Sequence, residues 1–425
     1  MSDYFDRVEC QIVRNVEAGL PRSSRRPVAF GYMASAAAVV VVIVVAGVFL
    51  LARGSSTAPA PAAGHTVTVT FTASTIDPGA QLKAAIDRSI PIVRARLAPV
   101  FPAVRVSRAG NEIVVTTPNT NTGVRARILT LIGTTARLAF YDWEANVLTP
   151  NGKTVASQLQ AQDPTAIAIS QGVASGAPGS PGAGSMNLYD AVQLASRQPE
   201  SSSPNNSRIG PQYYMFGAPG SAACQAEARA GNAVPAAGQH CLLSGPDDNE
   251  QGLLSGLPAG VSASEGEILT VPQGTAVLQA IAPNFSKPTP IGDPSAQFFV
   301  LKDDVALSGR DITNPQQSAD PGTSAPDVTF GFSTKGKSQF QRVTANVAHR
   351  GDLVSGLGQT LNQHFAVALD DRLITVPYID FKQYPDGVTG DNGADISGGL
   401  TTPSAQALAN QLRLSALPVR LTATG

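Results

Sequence analysis

The chain has 425 residues, with 30 lysines and arginines against 31 acidic side chains and a formal net charge of −1. So even a balance leaves no basic footprint for nucleic acid, which excludes that partner. Arginine outnumbers lysine, and with no net positive charge this reads as a bias of base composition rather than a binding signal.

Residues 1–26 carry Phe5, Val8, Ile12, Val16 and Leu20 at three- and four-residue spacing, the pattern of a short amphipathic helix. Two readings fit it equally: a membrane-proximal helix without a partner, and a cytoplasmic docking segment. From Val28 to Ala52 no residue is charged. As a helix this run spans roughly 37 Å, enough for a hydrocarbon core of about 30 Å with some tilt. The apolar part of a cleavable signal runs only about 7–15 residues. The expectation is therefore a transmembrane helix over residues 27–53, with Val28, Val41, Ile43 and Leu51 among its anchor residues. Arg22, Arg25 and Arg26 precede the run and only Arg53 follows it closely. Positive flanks stay inside, which predicts a single-pass protein of the cytoplasmic membrane, N-terminus in the cytoplasm and the bulk of the chain extracytoplasmic.

Residues 54–64 form a Pro/Ala linker. Over 65–144 the spacing predicts an α+β subdomain. Thr66–Thr72 alternates as a strand, and Leu82, Ile86, Ile90, Val93 and Leu97 mark one face of a helix that Pro91 can kink. Val104–Val106 and Glu112–Thr116 flank a turn at Arg108–Asn111, Val124–Ile132 fits a second helix, and Arg137–Trp143 is expected to close the unit as a strand. The order β-α-β-β-α-β is ferredoxin-like.

Residues 145–262 are expected to be a poorly defined, low-complexity insertion, with a short helix near Leu188–Ser196 and a strand at Gln212–Phe216. Cys224 and Cys241 lie within it, on the exported side, where a disulfide is permitted; Cys10 lies on the cytoplasmic side. The favoured reading is a Cys224–Cys241 bridge, because the Ala/Gly-rich segment between them has little else to hold it. The alternative is two buried thiols.

Periodicity returns over 263–425. Gly266–Leu269, Thr275–Ala280, Gln297–Leu301 and Val328–Phe332 read as strands. Lys337–Ala348 is a helix with Phe340, Val343 and Val347 on one face, ended by His349–Asp352. Phe365–Leu369 and Leu373–Val376 bracket an Asp370–Arg372 turn. Thr402 and Pro403 open a final helix whose stripe is Ala405, Leu408, Ala409 and Leu412, which Pro418 follows and Val419–Thr422 succeeds as a strand.

The histidines, His65, His240, His349 and His364, form no HExxH pair, and no cysteine pair has zinc spacing. There is no nucleophile elbow and no P-loop. The acidic run Asp386–Asp395 lacks EF-hand spacing and the closing Glu, and reads as a solvated turn. No catalytic residue, cofactor or metal site is expected, and the chain is not expected to be an enzyme.

Ala394–Thr401 with Ile396, Gly398 and Gly399, then Ala405–Arg413 with Leu408 and Leu412, then Leu417 and Pro418, is similar to the SecD family, at the end of its first extracytoplasmic domain. Phe340, Thr344, the Phe365–Asp370 strand, Val376–Ile379 and Leu301–Arg310 resemble the head subdomain of that domain. Ile92–Arg96, Gly110–Val115 and Thr135–Phe140 resemble its base subdomain. Leu400 stands where the family has an aromatic residue, and Pro403-Ser404 where it has an acidic helix start. The resemblance implies a base over 65–144 and a head over 263–425, with hinge motion between them. It further implies an accessory of protein export that contacts unfolded, emerging polypeptides and the secretion translocase. The family's later membrane helices, which carry the proton pathway, have no counterpart in these 425 residues, so no proton-driven motor of its own is expected. An envelope adapter reusing the head fold is the alternative.

Overall fold

The structure is a computed structural model. It describes residues 66–75, 81–118, 123–132, 135–174, 183–208, 210–229, 238–280, 289–320, 324–356, 361–396, 400–414 and 416–424, with Asn232 and Pro235 between. The tail 1–26, the expected membrane helix 27–53 with Val28, Val41, Ile43 and Leu51, the linker 54–64, and Gly398 and Gly399 lie outside the described residues. Among the described residues no helix is long and apolar enough to cross a membrane.

The described chain is α+β, built on four antiparallel or mixed sheets. In the first sheet Thr66–Thr75 alternates strictly: Val69, Phe71 and Ala73 are buried while Thr66, Thr68 and Thr72 are exposed. One face must therefore be covered, and helices Leu82–Leu97 and Val124–Ile132 cover it. They bring Ala85, Ile86, Val93 and Leu97, then Val124, Ile128 and Ile132 at four-residue spacing, into one apolar cluster with Ile113 and Val115. The strand order is Val419–Thr424, Thr66–Thr75, Glu112–Pro118, Arg105–Ala109. The outer edge at Arg105–Ala109 is blunted by Arg94, whose Nη2 donates to the Val106 carbonyl at 3.2 Å.

This is the ferredoxin-like order, but the strand that completes it is not the expected one. Arg137–Trp143 was expected to close the unit; instead Leu138–Asp142 lies in the second sheet, and Val419–Thr424, expected beside the head, closes the first. The reason is two-faced burial. Leu138 and Phe140 enter one apolar cluster while Ala139 and Tyr141 enter another, so this strand needs cover on both sides, which the one-sided first sheet does not offer.

The second sheet runs Leu307–Ser308, Leu138–Asp142, Gln363–Leu369, Arg372–Thr375, Thr275–Gln279, Phe298–Lys302, with Tyr378–Ile379 paired to Gln363–Leu369. All seven residues of Gln363–Leu369 are buried. One face packs on helix Thr334–Ser355, on the third sheet (Ile312–Ala319, Pro326–Phe332, Ala394–Ile396) and on helix Thr402–Arg413. The other packs on short helices between Trp143 and Ala174. The helix expected to end at His349–Asp352 runs on to Ser355. Gly351 is buried inside it, and a Cβ there would stand 3.3 Å from Phe381, so this glycine serves a close approach rather than a stop.

The stretch 145–262 holds more regular structure than its composition suggests. Helix Leu188–Ser196 and the fourth sheet, in the order Cys241–Asp247, Gln212–Gly217, Gly266–Val271, pack against the far strands of the second sheet through Tyr214, Phe216, Val271, Val277, Phe298 and Val300.

Candidate functional junction between the sheets

The chain passes from the first sheet to the second at residues 135–137 and returns at 416–418. The two passages lie side by side, with the Leu417 N–H donating to the Thr135 carbonyl at 2.9 Å. Ala136 takes a left-handed backbone there (φ 58°). The turn Asp370-Asp371, left-handed at both residues, sits against this passage. The Ala136 and Arg137 N–H groups each donate to the Asp370 carboxylate at 3.0 Å, the Thr135 hydroxyl donates to the same carboxylate, and the Asp370 N–H donates to the Arg137 carbonyl at 3.1 Å. Arg96 reaches the Thr135 carbonyl from helix Leu82–Leu97; burial lowers its pKa to about 10, against the upward pull of Asp370.

A charged network continues from Asp371. Its carboxylate pairs with Arg208 and, at 3.5 Å, with Arg137. Arg208 also pairs with Asp248 at 3.4 Å, and Asp248 with Arg420 at 3.5 Å. The Arg420 guanidinium donates as well to the Pro246 carbonyl. The Arg208 side chain is only 4% exposed. Burial first, and then the like charges of Arg137 and Arg420, bring its pKa down to about 9 while Asp248 holds it up. Asp303 completes the seat, accepting from the Ser207 hydroxyl, the Arg208 N–H and the Tyr141 hydroxyl. Four parts of the chain thus meet: Arg420 from the first sheet, Asp371 from the second, and Arg208 and Asp248 from the segments flanking the fourth.

A second network joins the second sheet to the helices that cover it. The Glu144 carboxylate accepts from the His364 N–H at 2.8 Å and from Ser170 Oγ at 2.9 Å, and lies 2.7 Å from His364 Nδ1. Gln363 joins Ser170 to Arg350, which pairs with Asp142 in a two-pronged contact. Burial alone would push Glu144 up, but His364 and Arg350 hold it below the ordinary carboxylate range; for Asp142 burial outweighs Arg350 and the shift is upward. Ser170, Glu144 and His364 share the composition of a hydrolytic triad, not its geometry, because the hydroxyl donates to the carboxylate rather than facing the imidazole.

Cys224 and Cys241 are joined by a disulfide, buried beside Met215, Leu243 and Leu253. A Cβ on Gly217 would lie 2.8 and 2.9 Å from the two sulfurs, so glycine is what lets the strand pass them. Ile396, Leu408, Leu412 and Leu417 are buried and Pro418 is half-buried, but they serve two cores: the first three pack in the large cluster of the second and third sheets, Leu417 in that of the first. None of them belongs to either charged network. Among the described residues no group of three or more His, Cys, Asp or Glu side chains is placed to hold a metal ion. Sequence reading missed Arg208, Asp248, Asp371 and Arg420 because their partners are far apart along the chain. The one local signal was the Asp370-Asp371 turn, where two acidic residues occupy positions that usually take Asn or Gly.

Fold and junction together define a two-part α+β domain, a one-sided sheet joined by a paired crossing to a sheet covered on both faces. Residues 285–419 match the family model for the SecDF P1 head subdomain. Over these residues the chain is similar to the SecD/SecDF family. Protein translocase subunit SecD of Streptomyces coelicolor is 30% identical over 116 residues, 27% of this chain and 18% of that protein. The subunit of Synechocystis sp. is 31% identical over 120 residues, 28% of this chain and 23% of its own length. The matches thus span about a fifth of the curated relatives. A solved structure described as a membrane component SecDF that enhances protein export aligns over 84% of this chain and 98% of that chain, at 16% identity and a TM-score of 0.38.

Proposed function

We propose that this chain is a membrane-anchored, extracytoplasmic accessory of protein export that contacts unfolded polypeptides as they emerge, alongside the secretion translocase. The observation that carries the reading is the match of residues 285–419 to the SecDF P1 head subdomain. One further feature supports it. The run 28–52 contains no Asp, Glu, His, Lys or Arg, the side chains that carry protons through a membrane, and the proposed role is passive binding without catalysis. The competing reading, an envelope adapter on the same fold, draws on the fourth sheet, whose strands all precede the matched residues.

The test is binding of a secretory protein, denatured or folded, to the purified chain, together with crosslinking in intact cells. Preference for the denatured client and capture of translocase subunits support export. Equal binding of both forms, or of neither, leaves the adapter reading in front.

A further inference from the structure

The first and second sheets have separate cores. The apolar cluster around Val69, Ile86 and Ile113 shares no residue with the one around Phe140, Phe340 and Phe365. Two parts without a common core, joined by a paired crossing on one side, are free to bend about that crossing unless something spans them elsewhere. The fourth sheet spans them. It is fixed to the second sheet by apolar packing through Tyr214, Phe216 and Val271, and its strand Cys241–Asp247 is pinned to helix Ala222–Arg229 by the disulfide. At the far end of that strand, the Pro246 carbonyl and the Asp248 carboxylate hold Arg420 of the first sheet.

We propose that the fourth sheet is a strut between the first and second sheets, and that the grip of Pro246 and Asp248 on Arg420 is its releasable latch. The chemistry suits a latch rather than a permanent weld. Asp248 is shared between two guanidiniums, the buried one of Arg208 and the Arg420 side chain, which is 21% exposed. When Arg420 leaves, Asp248 keeps Arg208, and Arg208 keeps Asp371, so no charge is stranded in a buried place. Arg420 meanwhile lies on the sheet face opposite Val419 and Leu421, where no apolar side chain must move with it.

The test is a pulsed-EPR distance measurement in the full chain carrying Cys10→Ser. Spin labels are placed at the exposed positions Arg88, on helix Leu82–Leu97, and Arg342, on helix Thr334–Ser355, through Arg88→Cys and Arg342→Cys. The latched protein should give one narrow distance distribution. Arg420→Gln should broaden or shift it without loss of the Cys224–Cys241 bond, and Arg420→Lys should restore part of the narrow population. A distribution for Arg420→Gln that superposes on the parent overturns the proposal, as does a parent distribution already broad. If Arg420→Gln unfolds, Asp248→Asn carries the same test, because Arg208 retains Asp371.

Discussion

Ala136 adopts the left-handed backbone at the step where the chain leaves the first sheet, a conformation that costs an L-residue about 1–2 kcal/mol. The Asp370 carboxylate holds it by accepting from two successive N–H groups and the Thr135 hydroxyl. Asp370→Ala leaves those donors without their acceptor and should lower stability by about 2–3 kcal/mol in urea unfolding; an unchanged midpoint would show that the passage is held by other means. Glu144 gives a pH signature. Its folded pKa is depressed, so its contribution is complete above the unfolded value of about 4.3 and is lost as pH falls through the folded value. Asp142, pushed up by burial, runs in the opposite sense, so the total slope mixes the two. Glu144→Gln isolates the Glu144 part. It should cost about 3–5 kcal/mol near neutral pH, because it breaks a buried pair, and the difference from the parent should shrink in acid. A difference that widens on acidification contradicts the assignment.

At the scale of elements, pattern and packing agree wherever one face is apolar and the other wet. The stripe Ala405, Leu408, Ala409 and Leu412 was legible because a helix on a surface buries one side, and all four are buried. Leu412→Ala should cost about 2–5 kcal/mol through lost burial and a residual cavity, read as a drop in the urea midpoint; a change well below that range would mean the helix is not packed through this residue. One strand buried on both faces was recognised as a strand but not assigned to the right sheet. Leu138–Asp142 has no wet side to declare its neighbours, and its partner Gln363–Leu369 lies more than two hundred residues away. The fourth sheet was hard to read for a different reason. Its strands are held by a disulfide and short hydrophobic runs inside Gly- and Ser-rich sequence, so composition masked the pairing. Apart from the Asp370-Asp371 turn the ion network was illegible, since a lone arginine in a loop carries no mark of the aspartate it will meet.

For the whole molecule, the first sheet depends on a strand delivered after the entire second sheet has been built. Val419–Thr424 covers Phe71 and Ala73 through pairs with Ala423 and Leu421, and Val419 and Leu421 join the first sheet's core. A chain shortened after Arg413 should therefore lose hydrogen-exchange protection throughout Thr66–Pro118, while Gln363–Leu369 stays protected; equal protection of both would show the closing strand to be dispensable. The same feature sets an order of events during synthesis. Strand Thr66–Thr75 is made roughly 340 residues before the strand that pairs with its free edge. At about 5–20 residues per second the ribosome needs on the order of 20–70 s to supply it. Through that interval the nascent first sheet carries an alternating, half-apolar edge of the kind that recruits foreign strands. The part of the protein that is made first is thus the part that most needs shelter while the remainder is translated.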